Sequence, residues 1–128
     1  MTYHISKTLD ADFEDVKARA TAVLSEHGFG VMTEINVAEA LKKKIGAEIR
    51  PYHILGACNP HFAYKALQSE NKIGTMLPCN VVVQQLESGQ VEVSAVDPIA
   101  SMSAIDNPDL GEIAGEVRGL LQKVIADI

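Results

Sequence analysis

Residues 52–60 read Tyr-His-Ile-Leu-Gly-Ala-Cys-Asn-Pro and combine a strand signal with a helix start. The apolar run at 52–57 predicts a strand. Asn59 and Pro60 predict a helix start, because Asn is a favoured N-cap and Pro suits the first helical position. The chain therefore passes from a strand into a helix at Cys58.

Similar signals recur on both sides of this stretch. Apolar alternation or clustering predicts strands at residues 3–7, 29–35, 52–57, 80–86 and 91–96. Polar N-cap residues, followed by apolar residues at helical spacing, predict helices that begin after Asp12, Asn36, Asn59, Asp97 and Asn107. The last of these helices is the longest and runs to about Asp127.

Five strands and four or five helices in one domain of 128 residues predict an α+β fold with a single sheet. Ser88-Gly89 predicts a tight turn between the last two strands, which are therefore antiparallel. A helix follows each of the first three strands, and this order favours parallel pairing. The pattern leaves open an antiparallel sheet covered by helices and a mixed sheet.

The charge of the chain opposes nucleic-acid binding. The formal net charge is −6, which repels a phosphate backbone. The one basic run, Lys42-Lys43-Lys44, precedes Gly46, where cations stabilise the negative end of a helix. We therefore expect a helix terminus at these lysines and no nucleic-acid partner.

The composition indicates a small cytoplasmic protein that pairs with a second copy. Residues 1–5 lack the pattern of a signal peptide, and no window is apolar enough for a membrane helix. Both cysteines are therefore expected to be reduced. The mean hydropathy of +0.07 is high for so small a chain, which favours a homodimer. Gly111, Gly115 and Gly119 form a line on the last helix, where close approach of another backbone would explain them.

Two long motifs carry a resemblance to a known family. They are Ile54-Leu55-Gly56-Ala57-Cys58-Asn59-Pro60 and Leu77-Pro78-Cys79-Asn80-Val81-Val82-Val83, supported by Gly28-Phe29-Gly30-Val31, Thr33-Glu34-Ile35 and Asp97-Pro98. The chain resembles the domain-of-unknown-function family 302. The resemblance implies an α+β fold with an antiparallel sheet, akin to that of TATA-box-binding proteins, and a tendency to dimerise. It implies no activity and transfers no catalytic residue.

The two Cys-Asn steps are the main candidates for chemistry. Cys58 precedes the predicted helix start, where unpaired N–H groups and the helix dipole would lower its pKa. Cys79 begins a strand, where nothing local has that effect. Asn59 and Asn80 follow the two thiols directly. If the two strands are antiparallel neighbours, we expect the cysteines to meet. Free cysteines are also often simply buried, so a packing role stays open.

Three further side chains are candidates for ligand binding. His53 and His61 flank Cys58 in sequence, and a thiolate with an imidazole is the minimum for nucleophilic activation or soft-metal ligation. His53, however, would lie on the opposite strand face from Cys58. Asp97 lies at a strand end and could instead only cap a turn, and Glu34 lies close to another strand end.

The sequence supports two hypotheses on function and names no cofactor. In the first, the chain is a small-molecule or sulfur- or metal-handling module centred on Cys58 and Cys79. In the second, it is a homodimeric structural or interaction protein whose cysteines only pack. The cysteine spacing matches no standard zinc site, and Met32, Met76 and Met102 are expected to fill the core. No residue pattern supports a hydrolase or transferase, and whether any reaction is catalysed is left open.

Overall fold

A computed structural model describes residues 2–128. Its strands are β1 (His4–Leu9), β2 (Gly30–Asn36), β3 (Tyr52–Cys58), β4 (Cys79–Gln85) and β5 (Val91–Val96). Its helices are α1 (Phe13–Glu26), α2 (Val37–Ile45), α3 (Pro60–Ser69), α4 (Pro98–Met102) and α5 (Pro108–Asp127). A 3₁₀ turn at Ile73–Met76, which the sequence did not predict, lies between α3 and β4. None of the helices between residues 2 and 128 combines the length and apolarity needed to cross a membrane.

The strands form one sheet in the order β1-β5-β4-β3-β2, and every neighbouring pair is antiparallel. The α+β prediction with about five strands is confirmed, and the alternative of a mixed sheet is wrong. The parallel reading failed because β1 and β2 lie at opposite edges, so the connection through α1 does not join neighbouring strands. The helices α2 and α3 instead connect antiparallel neighbours. The likeness to TATA-box-binding proteins stays a prediction.

Helices cover one face of the sheet, called here the inner face. Alternate residues of β4 and β5 point to it and are buried, among them Val81, Val83 and Val93. The helices α1 and α5 pack on them through apolar side chains such as Leu24 and Leu121. Alternation along β3 places His53, Leu55 and Ala57 on this inner face, and Gly56 on the outer face.

The strand β2 contains a β-bulge, and beyond it each side chain points to the sheet face opposite to the one that regular alternation would give. Val31 pairs with Ala57, whereas Thr33 already pairs with Gly56, so Met32 is the extra residue. The sequence predicted regular alternation through Val31, Thr33 and Ile35, and this is wrong beyond Val31. Thr33 consequently lies on the outer face. Glu34 pairs with the buried Leu55 and lies on the inner face.

The helix ends follow the predicted capping residues. The side chain of Asp12 accepts the Asp15 N–H, and that of Asn36 accepts the Glu39 N–H. Gly46 ends α2 with a φ of 69°, a left-handed conformation that suits glycine. Lys42-Lys43-Lys44 occupy the last turn of α2, as the sequence predicted.

No described part of the chain packs against the glycine line on α5. A Cβ atom at Gly111, Gly115 or Gly119 would meet no described atom within 4 Å. The expectation that another backbone segment approaches these glycines is therefore wrong for a single chain. Approach by a second copy stays a prediction.

We expect Gly111→Ala and Gly115→Ala each to raise the free energy of unfolding by about 0.5–1 kcal/mol. Alanine restricts the unfolded chain more than glycine does, and both sites have room for the methyl group. Denaturant unfolding measures the change. A loss of stability in either variant would mean that the glycine line is covered in solution.

Candidate functional site

The two cysteines lie next to each other at one end of the sheet. Cys58 ends β3 and Cys79 begins β4, and these strands are antiparallel neighbours. Cys79 pairs with Ala57, the residue before Cys58. Directly opposed Cα atoms in an antiparallel pair are about 4.5–5.5 Å apart, so Cys58 is only one position removed from Cys79. The predicted approach of the two cysteines required β3 and β4 to be antiparallel neighbours, and the structure has this arrangement.

A small, partly enclosed cavity lies behind these two residues. Its volume is about 30 Å³, enough for one or two water molecules. Both cysteines line it, together with the thioether side chain of Met102. Apolar side chains from α3 and α5 form most of the remaining wall, among them Phe62, Ala66, Ile113, Ala114 and Val117.

A larger apolar groove opens to solvent on the other side of Cys58. Its volume is about 480 Å³, within the range of small-molecule sites. The groove is lined by Met32, Thr33, Cys58, Pro60, Ala63, Tyr64, Leu67, Leu77 and Pro78. Three of these apolar side chains are unusually exposed: Met32 at 68%, Tyr64 at 64% and Leu67 at 46%. The bulge in β2 supplies Met32.

Cys58 lies in the wall between the groove and the cavity. Only Cys58, Ala63 and Leu77 line both spaces among the described residues. Ala57 and Cys79 belong to the buried core, whereas Cys58 is half-buried. Of the two thiols, Cys58 is therefore the one that a molecule in the groove can reach.

Burial sets the acidity of both thiols. Burial raises the pKa of the Cys58 thiol, which corrects the expectation that the helix start lowers it. The first N–H groups of α3 are also taken up by its cap, because the Asn59 side chain accepts those of His61 and Phe62, at 3.1 and 3.4 Å. Those donors would otherwise stabilise a thiolate. Burial, and then the charge of Cys58, raise the pKa of Cys79 to about 11.

Asn80 and His61 line neither the groove nor the cavity beside the cysteines. Asn80 is exposed and lines a depression on the outer face with Tyr52 and Gln84. His61 lies exposed in the first turn of α3 and lines neither the groove nor the cavity. Asn59 does line the cavity, and its amide oxygen is occupied in capping α3.

Asp97 joins two helices. Its Oδ1 accepts the Ile99 N–H at 3.0 Å, and its Oδ2 accepts Arg118 Nε at 3.0 Å. It therefore caps α4 and ties α4 to α5, which matches the capping interpretation of this residue. Asp97 lines neither the groove nor the cavity, although the following Pro98 lines the cavity.

His53 lies far from the cysteines, at the other end of β3. It lies five positions before Cys58, or about 16 Å along a strand. Its Nδ1 atom is 3.0 Å from Glu34 Oε1, and its ring meets the Phe13 ring edge-on with centroids 5.3 Å apart. A joint site of His53 and Cys58 is therefore wrong.

Several groove and cavity residues had no signal in the sequence. Met102 fills the core as expected while also lining the thiol cavity. The same expectation is wrong for Met32 and Met76, which are 68% and 40% exposed. Leu77 and Pro78 stand in the second family motif, but nothing in sequence placed them opposite α3. No group of three or more His, Cys, Asp or Glu residues between residues 2 and 128 could hold a metal ion.

The comparisons with known proteins give the family. The model of the domain of unknown function DUF302 matches residues 5–128. The chain belongs to the DUF302 family. Its structure is also similar to the crystal structure of an uncharacterized conserved DUF302 protein from Bacillus stearothermophilus, with a TM-score of 0.92 and 27% sequence identity. That likeness covers 99% of this chain and 98% of the other, and no curated protein matches the sequence.

Proposed function

We propose that this DUF302 chain is a binding module for a small apolar molecule, which lies in the groove beside Cys58. One observation carries the proposal: a groove large enough for a small molecule is lined almost entirely by apolar atoms and has the Cys58 thiol in its wall. Exposed apolar surface of this kind commonly marks a binding site. We place the protein in the cytoplasm, where both thiols stay reduced.

The lining residues have distinct roles in this proposal. Met32 and Leu67 supply flexible apolar contact, and the Tyr64 ring supplies a flat surface. Cys58 contributes the polarizable sulfur and a weak S–H donor. Ala63 and Leu77 separate the bound molecule from the small cavity.

Binding of the apolar dye Nile red tests the proposal. We expect one dye per chain, because the groove would shield it from water and raise its fluorescence. Ala63→Phe fills the wall of the groove and should weaken binding by roughly tenfold or more. Ile45→Asp is the matched control, since Ile45 is the most exposed large apolar residue between residues 2 and 128, at 74%, and does not line the groove.

Equal dye binding by wild type and Ala63→Phe would contradict the proposal. So would a loss of binding in Ile45→Asp, since the dye would then bind outside the groove. Unfolding curves of both variants establish that each chain is folded before binding is compared.

A second candidate function is the binding of a soft monovalent metal ion. Cys58, Cys79 and Met102 all line the small cavity, and thiolate with thioether is a donor set suited to Cu(I) or Ag(I). Titration with Ag(I) tests this candidate. Met102→Leu should weaken binding, whereas Met76→Leu, a change outside the cavity, should not. Equal affinities of these two variants would contradict it.

The alternative is a homodimeric interaction protein whose cysteines only pack. The exposed Met32, Tyr64 and Leu67 that favour a ligand would also suit a second copy. Sedimentation separates the two possibilities. A 13.8 kDa species at high micromolar concentration contradicts the dimer. A dimer that Leu67→Asp dissociates supports it.

A further inference from the structure

A second candidate site lies at the opposite end of β3, around His53. This residue is only 8% exposed. Its Nδ1 atom is 3.0 Å from Glu34 Oε1, which also lies 2.9 Å from Lys17 Nζ. The Lys17 ammonium, and then His53, lower the pKa of Glu34. Glu34 is therefore a carboxylate, and a carboxylate only accepts hydrogen bonds.

The charge state of Glu34 determines which ring nitrogen of His53 holds the proton. Because Glu34 accepts, Nδ1 of His53 carries the hydrogen and donates it. In the neutral ring, Nε2 then has a free lone pair and is an acceptor. The carboxylate fixes both the tautomer and the orientation of the imidazole.

His53 lines an open cavity, and its Nε2 atom is free of hydrogen bonds to the described residues. In the non-exposed residues between 2 and 128, every side-chain nitrogen or oxygen atom that is shielded from solvent has a hydrogen-bond partner. Nε2 is therefore accessible to solvent. His53 lines a cavity of about 450 Å³ that lies between β3, α1 and α2. A nine-tenths buried side chain that lines this open space thus has an acceptor without a partner among residues 2–128.

The cavity has an acidic rim and an apolar wall. Glu14, Glu39 and Glu48 line it, and Lys42 is the only lysine or arginine among its described lining residues. The Lys17 ammonium lies 3.2 Å from Glu14. Lys42 lies 3.7 Å from Glu48, and both are largely exposed. Phe13, Ile49 and Pro51 supply the apolar wall. The charge and the acceptor both favour a cation that carries N–H groups.

We propose that this cavity binds a small molecule with an ammonium group on a short apolar body. The ammonium N–H donates to His53 Nε2, and the acidic rim offsets its charge. The apolar body lies against Phe13 and Ile49. The site is separate from the groove beside Cys58 and does not depend on the function proposed for that groove.

Titration of the whole chain with butylammonium chloride tests the proposal. Nitrogen-15 NMR of the imidazoles follows the His53 ring, and we expect a saturable shift of its Nε2 signal. Butyrate, of similar size but opposite charge, should bind at least tenfold more weakly. His53→Phe should lose roughly tenfold in affinity or more, as expected for a hydrogen bond to a charged group. His61→Phe, a change at an exposed histidine, should leave the affinity unchanged.

Three results would overturn the proposal: equal affinity for butyrate, unchanged affinity in His53→Phe, or a shift confined to other histidines. Glu48→Gln provides the test if His53→Phe does not fold, because Glu48 is exposed and its change preserves the core. Removal of this charge should weaken butylammonium binding by about two- to fivefold. An unchanged affinity in Glu48→Gln would then contradict the acidic rim.

Discussion

Cys58 is expected to react with iodoacetamide roughly a hundredfold faster than Cys79 near neutral pH. The thiolate is the reacting form, and burial raises the pKa of Cys79 to about 11. Cys79 is also part of the core, so it reacts only when the end of the sheet opens. Cys58 is half-buried and lines the open groove. Alkylation of Cys58→Ser and Cys79→Ser, followed by mass spectrometry, gives the two rates separately.

The pH profile of the faster thiol gives an independent check. Burial raises the pKa of Cys58, so its thiolate fraction keeps increasing through neutral and mildly alkaline pH. The rate should therefore rise tenfold per pH unit with no plateau near neutrality. Equal labelling of both thiols would mean that Cys58 is as enclosed as Cys79. A plateau near neutrality would show that the start of α3 activates Cys58 after all.

Gly56→Ala is expected to lower the free energy of unfolding by about 1–3 kcal/mol. Gly56 is buried in β3, between two neighbouring strands. A Cβ atom there would clash with Thr33 Oγ1 and would lie 2.8 Å from Pro78 Cγ. Thr33 can rotate away, whereas the Pro78 ring is fixed to its backbone. Denaturant unfolding measures the loss, and dye binding should fall as well, since Thr33 and Pro78 line the groove.

Gly30→Ala is the matched control for Gly56→Ala. Gly30 also lies in a strand, β2, but a Cβ atom there would meet no described atom within 4 Å. We expect no loss of stability there and a gain of at most about 1 kcal/mol, because alanine restricts the unfolded chain. Thr33→Ala combined with Gly56→Ala should recover part of the loss by removing one of the two clashes. Wild-type stability in Gly56→Ala would show that the close contact of Gly56 with Pro78 is absent in solution.

The elements of this fold could be predicted because their signals are local. Asp12, Asn36, Asn59, Asp97 and Asn107 cap helices through hydrogen bonds within three residues, and each was identified from sequence alone. The α+β class followed from the order of these elements. The fully antiparallel pairing did not, because pairing depends on which strand edges meet across the sheet.

The two candidate sites depended on features that no short stretch of sequence encodes. The β2 bulge places Glu34 on the inner face beside His53 and exposes Met32 at the groove. A bulge adds one residue without a sequence signal of its own, so regular alternation was the natural prediction. Similarly, Asn59 was predicted as a cap, but only its hydrogen bonds show that it takes up the N–H groups of both His61 and Phe62.

The most direct test of a ligand groove beside Cys58 is protection of its thiol. We expect saturating Nile red to slow alkylation of Cys58 by roughly tenfold or more in the Cys79→Ser variant, because a bound molecule covers the sulfur. Ala63→Phe, introduced into the same variant, should abolish this dye-dependent protection. An alkylation rate that stays unchanged at saturating dye would contradict the proposed site, because the dye would then bind without covering Cys58.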